Sequence, residues 1–451
     1  MEWFFFALRR FIAPSALSAI YLNKSKTSEG FPGKARSSWL AKLGPGLITG
    51  ASDDDPSGIA TYSQVGAQFG YGLLWVMLFS YPLMAVIQEI CARIGRVTGA
   101  GIAANMRKHY SPRLLYATIF LLCGANVFNL SADIGAIGAA SQLMLGGPAA
   151  VYVLLLAIVS LLLQIFVHYK SYVKYLKWLT AALLSYVLTS FLVHVDWVHA
   201  MGGTLVPSFS RDPKYFIGLT AVLGTTLSPY LFFWQASEEA EDVRVNSHER
   251  PLKRAPRQAF ENLRRIRFDT YVGMGISNLI AWFIILTAAA TLHVRGIADI
   301  HTSAEAAKAL EPLAGRFSSF VFAAGIIGTG LLAIPVLAGS AAYGVAEAFK
   351  WRASLEQRPE EAKKFYFVLA LATLIGLLLN FAGIDPIRAL FWSAVLNGIV
   401  AVPLMAVTML MSANRKVMGQ FTVSVPLRIA GWVATVVMFL SSVGLFAALR
   451  H

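Results

Sequence analysis

Eleven long apolar segments run through the sequence, and they constrain its fold more than any other feature. Each approaches or exceeds the roughly 20 apolar residues that a helix needs to cross a bilayer. Strands of a transmembrane barrel would be shorter and would alternate polar with apolar residues, which these segments do not. The sequence therefore predicts an all-α polytopic membrane protein. The segments, numbered 1 to 11, lie near 43–66, 71–94, 114–144, 148–168, 175–194, 214–240, 268–292, 316–346, 365–383, 387–411 and 427–449.

The composition excludes soluble and disordered proteins. Of the 451 residues, 57% are apolar and only 14% are charged, whereas soluble domains carry roughly 25% charged residues. The apolar stretch at 3–8 is too short for a signal peptide, and Arg9 and Arg10 follow it instead of preceding it. We therefore expect residues 1–42 to form a cytosolic tail. Cys91 and Cys123 lie inside apolar segments and are expected to be buried thiols without a disulfide.

Basic residues are distributed unequally between the loops. With the N-terminus placed in the cytosol, 30 Lys and Arg residues fall on the inner side and 7 on the outer side. This asymmetry follows the positive-inside rule and predicts a cytosolic N-terminus and an external C-terminus in the cell membrane. It also explains the net charge of +14 without a nucleic-acid partner. The partner that it predicts is the bilayer, with the basic loop between segments 6 and 7 near anionic lipid.

Segment 1 is interrupted by the sequence from Asp53 to Gly58, which contains three consecutive aspartates followed by Pro56. Three carboxylates at membrane depth cannot face lipid. Proline lacks an N–H and pushes the preceding residue out of the α region. We therefore expect the helix to unwind at Asp55 and to expose backbone carbonyls beside a carboxylate, inside a cavity.

Segment 6 is interrupted in the same way between Gly224 and Tyr230, with Pro229 at the break. Because segment 6 follows segment 1 by five spans, the two run in opposite directions. Broken helices in matching positions of two inverted halves are typical of a transporter with a site at the midplane. We assign the halves to 43–194 and 214–411, with 427–449 as an additional helix. The alternative, that both prolines merely kink a structural bundle, remains open.

Oxygen is the donor atom that the two breaks offer. No methionine or cysteine lies between Met201 and Met274. The eight histidines lie in loops or near segment ends. Hard cations prefer oxygen ligands, and softer metals prefer sulfur or imidazole. The breaks therefore predict a site for Mg²⁺, Mn²⁺ or Ca²⁺, and the small residues Ser57 and Gly58 would leave room for water on the ion.

Several short motifs resemble the NRAMP family of divalent-metal transporters. Gly44–Gly46, Asp55–Gly58 and Gly66–Tyr71 are similar to the first helix of that family. Arg93–Gly99 after segment 2 and Arg415–Gly419 after segment 10 match in the same order. The resemblance implies a LeuT-like fold, in which segments 1–5 and 6–10 form inverted repeats with broken segments 1 and 6. It also implies transport by alternating access.

The sequence departs from the family pattern at the expected metal ligands. Gly58 stands where typical members have asparagine, and Thr225 stands where they have alanine. Ser228 replaces the metal-binding methionine and Tyr230 replaces a histidine. The resemblance implies that loss of the thioether removes the ligand that favours manganese, iron and cadmium over magnesium and calcium.

A further departure lies in segment 3. The acidic pair that the family links to proton transfer is represented by Asn129 and Ala132, with Asp133 displaced by one position. This pattern resembles the NRAMP-related magnesium transporter branch, whose members carry hydrated Mg²⁺ or Mn²⁺ without proton coupling. The resemblance thus implies a secondary-active or facilitative transporter that moves Mg²⁺, and also Mn²⁺, into the cell. The metal would be the substrate, and no permanently bound cofactor is expected.

Asp55 is the first candidate metal ligand because it lies at the unwound point, and Asp54 would contact a hydrated ion through water. The remaining candidates in the ligand set are Gly58, Thr225, Ser228 and Tyr230. Thr225 and Ser228 could equally cap the helix break, and Tyr230 could simply pack. Residues expected to line the cavity or to support the ligands are Asp53, Ser57, Glu89, Asp133 and Asn397.

Some of these polar residues have structural alternatives. Glu89 and Asp133 could pair with Arg93 or another group, and Asn397 could form an interhelical hydrogen bond. The acidic run at the inner end of segment 6 has two interpretations, an exit funnel for the ion or a solvated stretch that balances the basic loop. That run contains Glu238, Glu239, Glu241 and Asp242.

Three other functions compete with the proposed one. A proton-coupled Mn²⁺/Fe²⁺ importer keeps the family but needs the missing thioether. A sodium-coupled symporter for organic solutes would offer a substrate carboxylate a helix N-terminus, where three aspartates would repel it. An intramembrane enzyme would need a motif such as HExxH, which is absent. The sequence therefore predicts no enzyme, leaves oligomeric state open and is compatible with a monomer.

Overall fold

The computed structural model of the chain describes residues 45–167, 180–355, 357 and 359–450. Within these residues the secondary structure is helical, and no strand is present. The expected tail, 1–42, and the first residues of segment 5, 175–179, lie outside the described residues. The prediction of an all-α protein is confirmed.

Thirteen helices, labelled α1 to α13, form the eleven segments, because segments 1 and 6 each consist of two. They are α1 Pro45–Asp53, α2 Pro56–Phe69, α3 Leu74–Thr98, α4 Pro112–Leu145, α5 Ala149–Phe166, α6 Leu184–Leu192, α7 Pro213–Thr226, α8 Pro229–Val245, α9 Ala259–Ala288, α10 Ser318–Ala348, α11 Lys363–Leu379, α12 Pro386–Ala413 and α13 Val425–Ala448. Short helices in the connections are Ile102–His109, Trp197–Leu205, Ser303–Ala307, Glu311–Ala314 and Arg415–Met418.

Nine helical stretches of the described residues are long and apolar enough to cross a membrane. The first of them, Pro56–Thr98, holds the second half of segment 1 together with segment 2. Segment 5 is represented by a shorter apolar helix, Ala181–Leu192. The nine stretches and this shorter helix account for all eleven predicted segments, and the inverted-repeat architecture with two broken helices is confirmed.

The helices begin where local sequence favours a helix start. Asp212, Asp385 and Asp55 each precede a proline, and each side chain accepts a hydrogen bond from a backbone N–H of the helix that follows. Proline suits the first helical position because its missing N–H would be unpaired there anyway. The same signal starts a helix in two connections between segments and, at Asp55, in the middle of a segment. Segment 1 is therefore broken by an ordinary helix start placed inside the bundle.

Close helix contacts fix the positions of the two breaks. A Cβ atom on Gly224 would lie 2.0 Å from the carbonyl oxygen of Ala394, so α7 and α12 touch through their backbones. A Cβ atom on Gly66 would lie 2.4 Å from the carbonyl oxygen of Ile285, so α2 packs equally closely on α9. Glycine permits such contacts because it has no side chain. The breaks of the two repeats meet, since the Tyr230 hydroxyl lies 3.2 Å from the Ser52 carbonyl oxygen.

Candidate metal site

Asp55 is held at the start of α2 in an extended conformation, with φ −73° and ψ 171°. Its Oδ1 accepts hydrogen bonds from the backbone N–H of Gly58 at 2.8 Å and from the Ser57 hydroxyl at 2.6 Å. Pro56 cannot supply an N–H here, so the next donors along the chain turn toward the carboxylate. The unwinding predicted at Asp55 is present between α1 and α2.

The second oxygen of Asp55 is reached from other helices. Asn129 of α4 donates its amide to Oδ2 at 3.1 Å, and the Tyr230 hydroxyl of α8 lies 3.3 Å from the same atom. The Ser393 hydroxyl of α12 donates to the Asn129 side-chain oxygen at 2.7 Å and fixes the amide orientation. Asp55 is 2% exposed. Polar side chains from both repeats therefore converge on this carboxylate.

Asp53 and Asp54 lie beside Asp55 and are equally buried. The Ser277 hydroxyl of α9 lies 2.7 Å from an oxygen of Asp53 and 3.0 Å from an oxygen of Asp54. In the described part of the chain, no lysine or arginine forms an ion pair with any of the three aspartates. We call Asp53, Asp54 and Asp55 the core cluster. Its buried charge has no compensating cation, and buried charges of this kind need one.

The break of segment 6 spans Leu227 and Ser228. The Ser228 hydroxyl donates to the carbonyl oxygens of Gly224 at 2.9 Å and Thr225 at 2.7 Å. The Thr225 hydroxyl lies 2.8 Å from the Val222 carbonyl oxygen and 2.9 Å from the Tyr62 hydroxyl. Both hydroxyls thus cap the last turn of α7, which was the structural alternative. Their role as ligands stays a prediction, because a capping hydroxyl keeps free lone pairs.

The space at Gly58 is bordered by an aromatic ring. A Cβ atom at Gly58 would lie 3.3 Å from Cε2 of Tyr62 and 3.6 Å from Oδ1 of Asp55. An asparagine here would meet the Tyr62 ring, while the Ser57 hydroxyl is committed to Asp55. Tyr62 therefore occupies the side of the break where the family pattern places a further ligand.

Several buried polar side chains have no hydrogen-bond partner among the described residues. Two of them lie near the core cluster along the chain of their helices: Asp133, through both carboxylate oxygens, and Asn397, through both amide atoms. Asp133 follows Asn129 by one helical turn, and Asn397 follows Ser393 by one turn, so each shares a helix face with a residue of the Asp55 network. The interhelical hydrogen bond suggested for Asn397 is not observed.

Glu89 and the acidic run of segment 6 are used differently from the core cluster. Glu89 pairs with Arg93 on its own helix at 2.5 Å, which was one of the predicted alternatives. The interpretation of a solvated acidic run is wrong for Glu239 and Glu241, which are buried. Glu239 pairs with Arg265 at 2.6 Å, and Glu241 accepts hydrogen bonds from Tyr343 and Ser354.

Arg96 is the centre of this second network and is 1% exposed. It pairs with Asp242 at 2.7 Å and with Glu249 at 2.8 Å, and it donates to Asn262. On α9, Asp269 accepts the backbone N–H of Gly46 at 2.9 Å and so anchors the start of α1. We call these charged residues the inner network, namely Arg96, Glu239, Asp242, Glu249, Arg265 and Asp269.

Sequence reasoning missed several residues of the site. The sequence pattern did not indicate Ser277, Tyr62 or Ser393 as site residues. It indicated Asn129 only as the residue that stands in place of an acidic one. Their common signal is a polar side chain inside an apolar segment. Such residues are numerous, and only packing selects the few that meet. Among the described residues, no group of three or more His, Cys, Asp or Glu side chains is arranged so that it could hold a metal ion by itself.

Two inverted repeats, a broken helix in each and an uncompensated carboxylate cluster at the point where the breaks meet define the class of protein. The chain has the architecture of a multi-pass membrane transporter, with a cluster of three aspartates where the two breaks meet. Comparison with known proteins then identifies the family.

The sequence model of the family described as natural resistance-associated macrophage protein-like, Nramp, matches residues 46–448. The chain belongs to this family. It is 25% identical over 428 residues to the divalent metal cation transporter MntH of Klebsiella pneumoniae (strain 342), covering 92% of this chain and 96% of the relative. It is accordingly a divalent-metal transporter of the Nramp type and not an enzyme.

Solved structures share the fold. A single-residue variant of the manganese transporter of Eremococcus coleocola superposes with a TM-score of 0.67 at 17% identity, covering 93% of this chain and 89% of that chain. MhsT in complex with L-phenylalanine gives a TM-score of 0.58 at 13% identity, covering 92% and 100%. Mhp1, a nucleobase–cation symporter, gives 0.56 at 15% identity, covering 90% and 91%. At these identities the likeness extends to the fold alone.

Proposed function

We propose that the chain moves partly hydrated Mg²⁺, with Mn²⁺ as a second substrate, by alternating access and without proton coupling. The observation that carries the proposal is the chemistry of the donors at the two breaks. Neither α1 and α2 nor α7 and α8 contains a methionine, cysteine or histidine. An ion at Asp55 would therefore meet carboxylate, hydroxyl and carbonyl oxygens from these helices, which suit hard cations.

Hydration of the ion is supported by the state of Asp55. Its two oxygens are already contacted by four groups, from Ser57, Gly58, Asn129 and Tyr230. A bare ion would have to displace some of them. An ion that keeps its water can instead donate hydrogen bonds from that water to Asp54, or to Oδ1 of Asp53, which has no partner among the described residues. Mg²⁺ dehydrates reluctantly and usually keeps several waters.

The polar faces of α4 and α12 support a path through the membrane. These helices belong to segments 3 and 10, one odd and one even, so they cross in opposite directions. Asp133 follows Asn129 and Asn397 follows Ser393, each by one turn. The two unpartnered side chains thus extend from the Asp55 network toward opposite sides of the membrane. Water that satisfies them would continue the hydration of an ion on both sides of the cluster.

The orientation and the boundaries that we propose follow from the loop charges. The N-terminus and the tail 1–42 lie in the cytosol, and the C-terminus lies outside the cell membrane. The repeats comprise 43–194 and 214–411, and 427–449 is an accessory helix. In this orientation the inner network closes the cytosolic side of the site, and transport into the cell requires that network to open. A single chain contains the whole site, so a monomer suffices.

A transport assay with an ion panel tests this proposal. Purified protein in liposomes that contain a Mg²⁺-sensitive dye should show Mg²⁺ influx that Mn²⁺ inhibits and Cd²⁺ inhibits only weakly. Protein-free liposomes from the same preparation provide the control. Transport of Cd²⁺ that is faster than transport of Mg²⁺ would rule out the hard-cation site.

A proton-coupled Mn²⁺/Fe²⁺ importer is the second candidate. The observation that favours it is Asp133, a buried carboxylate without a hydrogen-bond partner that lies one turn from the Asp55 network. The similarity to the divalent metal cation transporter MntH is compatible with it. A pH-sensitive dye inside the same liposomes distinguishes the two. We expect Mg²⁺ or Mn²⁺ influx without acidification, whereas acidification that Asp133→Asn abolishes would establish the alternative.

A further inference from the structure

A groove of about 630 Å³ lies between α3 and α9, away from the metal site. Its floor is Gly275, and its wall is the ring of Tyr81, whose atoms would lie 3.4–3.6 Å from a Cβ at Gly275. The Tyr81 hydroxyl donates to the Tyr271 carbonyl oxygen at 3.1 Å and so holds the ring in place. The missing side chain at 275 is therefore what opens the groove.

Apolar side chains of α9 continue the groove along the membrane-facing side of the helix. Phe268, Ile276 and Leu279 are 55%, 52% and 56% exposed. The opposite face of α9 is buried and carries Asp269 and Ser277, which contact α1. The groove thus lies on the side of α9 that faces the hydrocarbon of the bilayer.

One end of the groove is strongly basic. Arg264 and Arg267 line it, both are exposed, and neither forms an ion pair within the described residues. Their neighbour Arg265 points the other way and pairs with Glu239. These three arginines form one basic run in the sequence, but they have different surroundings. Arg265 belongs to the inner network, whereas Arg264 and Arg267 lie on the rim of the apolar groove.

We propose that this groove binds an anionic phospholipid, with its phosphate at Arg264 and Arg267 and one acyl chain along Gly275, Ile276 and Leu279. Guanidinium groups bind phosphate through paired hydrogen bonds. An amphipathic anion is the ligand that matches both a cationic rim and an apolar floor. The charged end lies where α9 leaves the apolar part of segment 7, which is the depth of lipid headgroups.

A second surface groove provides a matched contrast. It has a volume of about 360 Å³ and is lined by Arg428, Ile429, Trp432, Val433, Val436 and Val437 of α13. Segments 7 and 11 are both odd, so both grooves have their basic end on the same side of the membrane. This groove has a single arginine and no glycine floor, and we expect no selective lipid there.

Binding is measured on the purified full chain in detergent, by native mass spectrometry and by thermal unfolding during titration with phosphatidylglycerol or phosphatidylcholine. We expect phosphatidylglycerol to bind on the order of tenfold more tightly and to raise the unfolding temperature. The double variant Arg264→Gln, Arg267→Gln should lose this preference. The control variant Arg415→Gln, Arg428→Gln removes the same charge from exposed positions on the same side and should keep it.

A second variant tests the apolar floor without changing charge. Gly275→Leu fills the groove and should weaken phosphatidylglycerol binding, while Gly275→Ala, whose Cβ fits at ordinary contact distance from Tyr81, should not. Inorganic phosphate serves as the probe for the headgroup alone. Equal losses in the two double variants would overturn the proposal, as would full competition by millimolar phosphate or an unchanged preference in Gly275→Leu.

Discussion

The core cluster and the inner network are both groups of buried or partly buried carboxylates, yet only one of them contains cations. In the inner network, Arg96 and Arg265 reach Asp242, Glu249 and Glu239 at 2.6–2.8 Å. In the core cluster, the partners of the aspartates are hydroxyl, amide and backbone N–H groups. Two arginines offset half of the four acidic charges in the first arrangement, whereas the second contains no arginine or lysine and keeps all of its acidic side chains uncompensated.

We propose that this difference separates carboxylates with a structural role from those that bind the transported ion. In a buried ion pair each charge compensates the other, and removal of one residue leaves the other charge without a partner. A cluster stabilised only by neutral donors remains an acceptor for a cation that arrives from outside. Burial and acidity alone therefore do not identify the site, and the presence or absence of arginine does. Substitutions in the two regions test this contrast.

Asp55→Asn should abolish most Mg²⁺ transport while leaving the protein folded. Loss of the carboxylate removes the charged acceptor at the centre of the site, and we expect initial rates in liposomes to fall on the order of 100-fold. Asp385→Asn is the matched control, because Asp385 also caps a helix that begins with proline but is exposed. Near-normal transport by Asp55→Asn would place the ion elsewhere.

Arg96→Gln should have the opposite signature, a loss of stability with little change in metal affinity. It leaves Asp242 and Glu249 without their close partner, and because their side chains are 37% and 24% exposed we expect a loss of about 1–3 kcal/mol. Thermal unfolding of the purified protein measures this cost, with the exposed Arg113→Gln as control. If Arg96→Gln kept its unfolding temperature but lost Mg²⁺ affinity, the division between the two regions would be wrong.

The same tyrosine change can be made in each region. Tyr230→Phe removes a hydroxyl from Oδ2 of Asp55, and we expect the KM for Mg²⁺ to change by about 3–10-fold. Tyr343→Phe removes a hydroxyl that donates to Glu241 next to the inner network. It should lower the unfolding temperature and leave the KM unchanged. If Tyr343→Phe changed the KM for Mg²⁺ and Tyr230→Phe only lowered the unfolding temperature, the proposed difference between the two regions would be wrong.

Ser228→Ala should have the smallest effect. The hydroxyl caps the end of α7, and its loss should cost about 0.5–1.5 kcal/mol of stability. Its effect on Mg²⁺ transport should stay below that of Tyr230→Phe. A larger transport defect would show that Ser228 contributes a ligand oxygen as well as a cap. Ser228→Met in the same assay should raise the inhibition by Cd²⁺, because it introduces a soft donor.

Much of the fold could be predicted because its causes are local. The length of the apolar stretches predicted the segments, and the Asp-Pro and Ser-Pro pairs predicted the positions of both breaks. Helix ends were less accurate: α9 begins at Ala259, whereas the apolar stretch was placed from 268. Hydropathy indicates where a helix enters the hydrocarbon of the bilayer. The helix itself begins earlier in the chain, in the basic region on its N-terminal side.

The partners of the site residues could not be predicted in the same way. Asp55 is 74 positions from Asn129 and 175 from Tyr230, and Ser277 is 224 from Asp53. Every segment contains hydroxyl or amide residues, so composition does not distinguish those that meet Asp55. Likewise, Glu239 and Asp242 resembled a solvated run until packing placed Arg96 and Arg265 against them.

Local sequence is enough to predict that long apolar helices cross a membrane and that two of them break, because bilayer thickness and the missing proline N–H act on neighbouring residues. It also predicts three carboxylates at one break and hydroxyls at the other. Which buried acids pair with arginine, and which have only neutral partners, depends on the tertiary structure. That outcome depends on distances between side chains far apart in the chain, and a charge at membrane depth is stable only if such a contact is made.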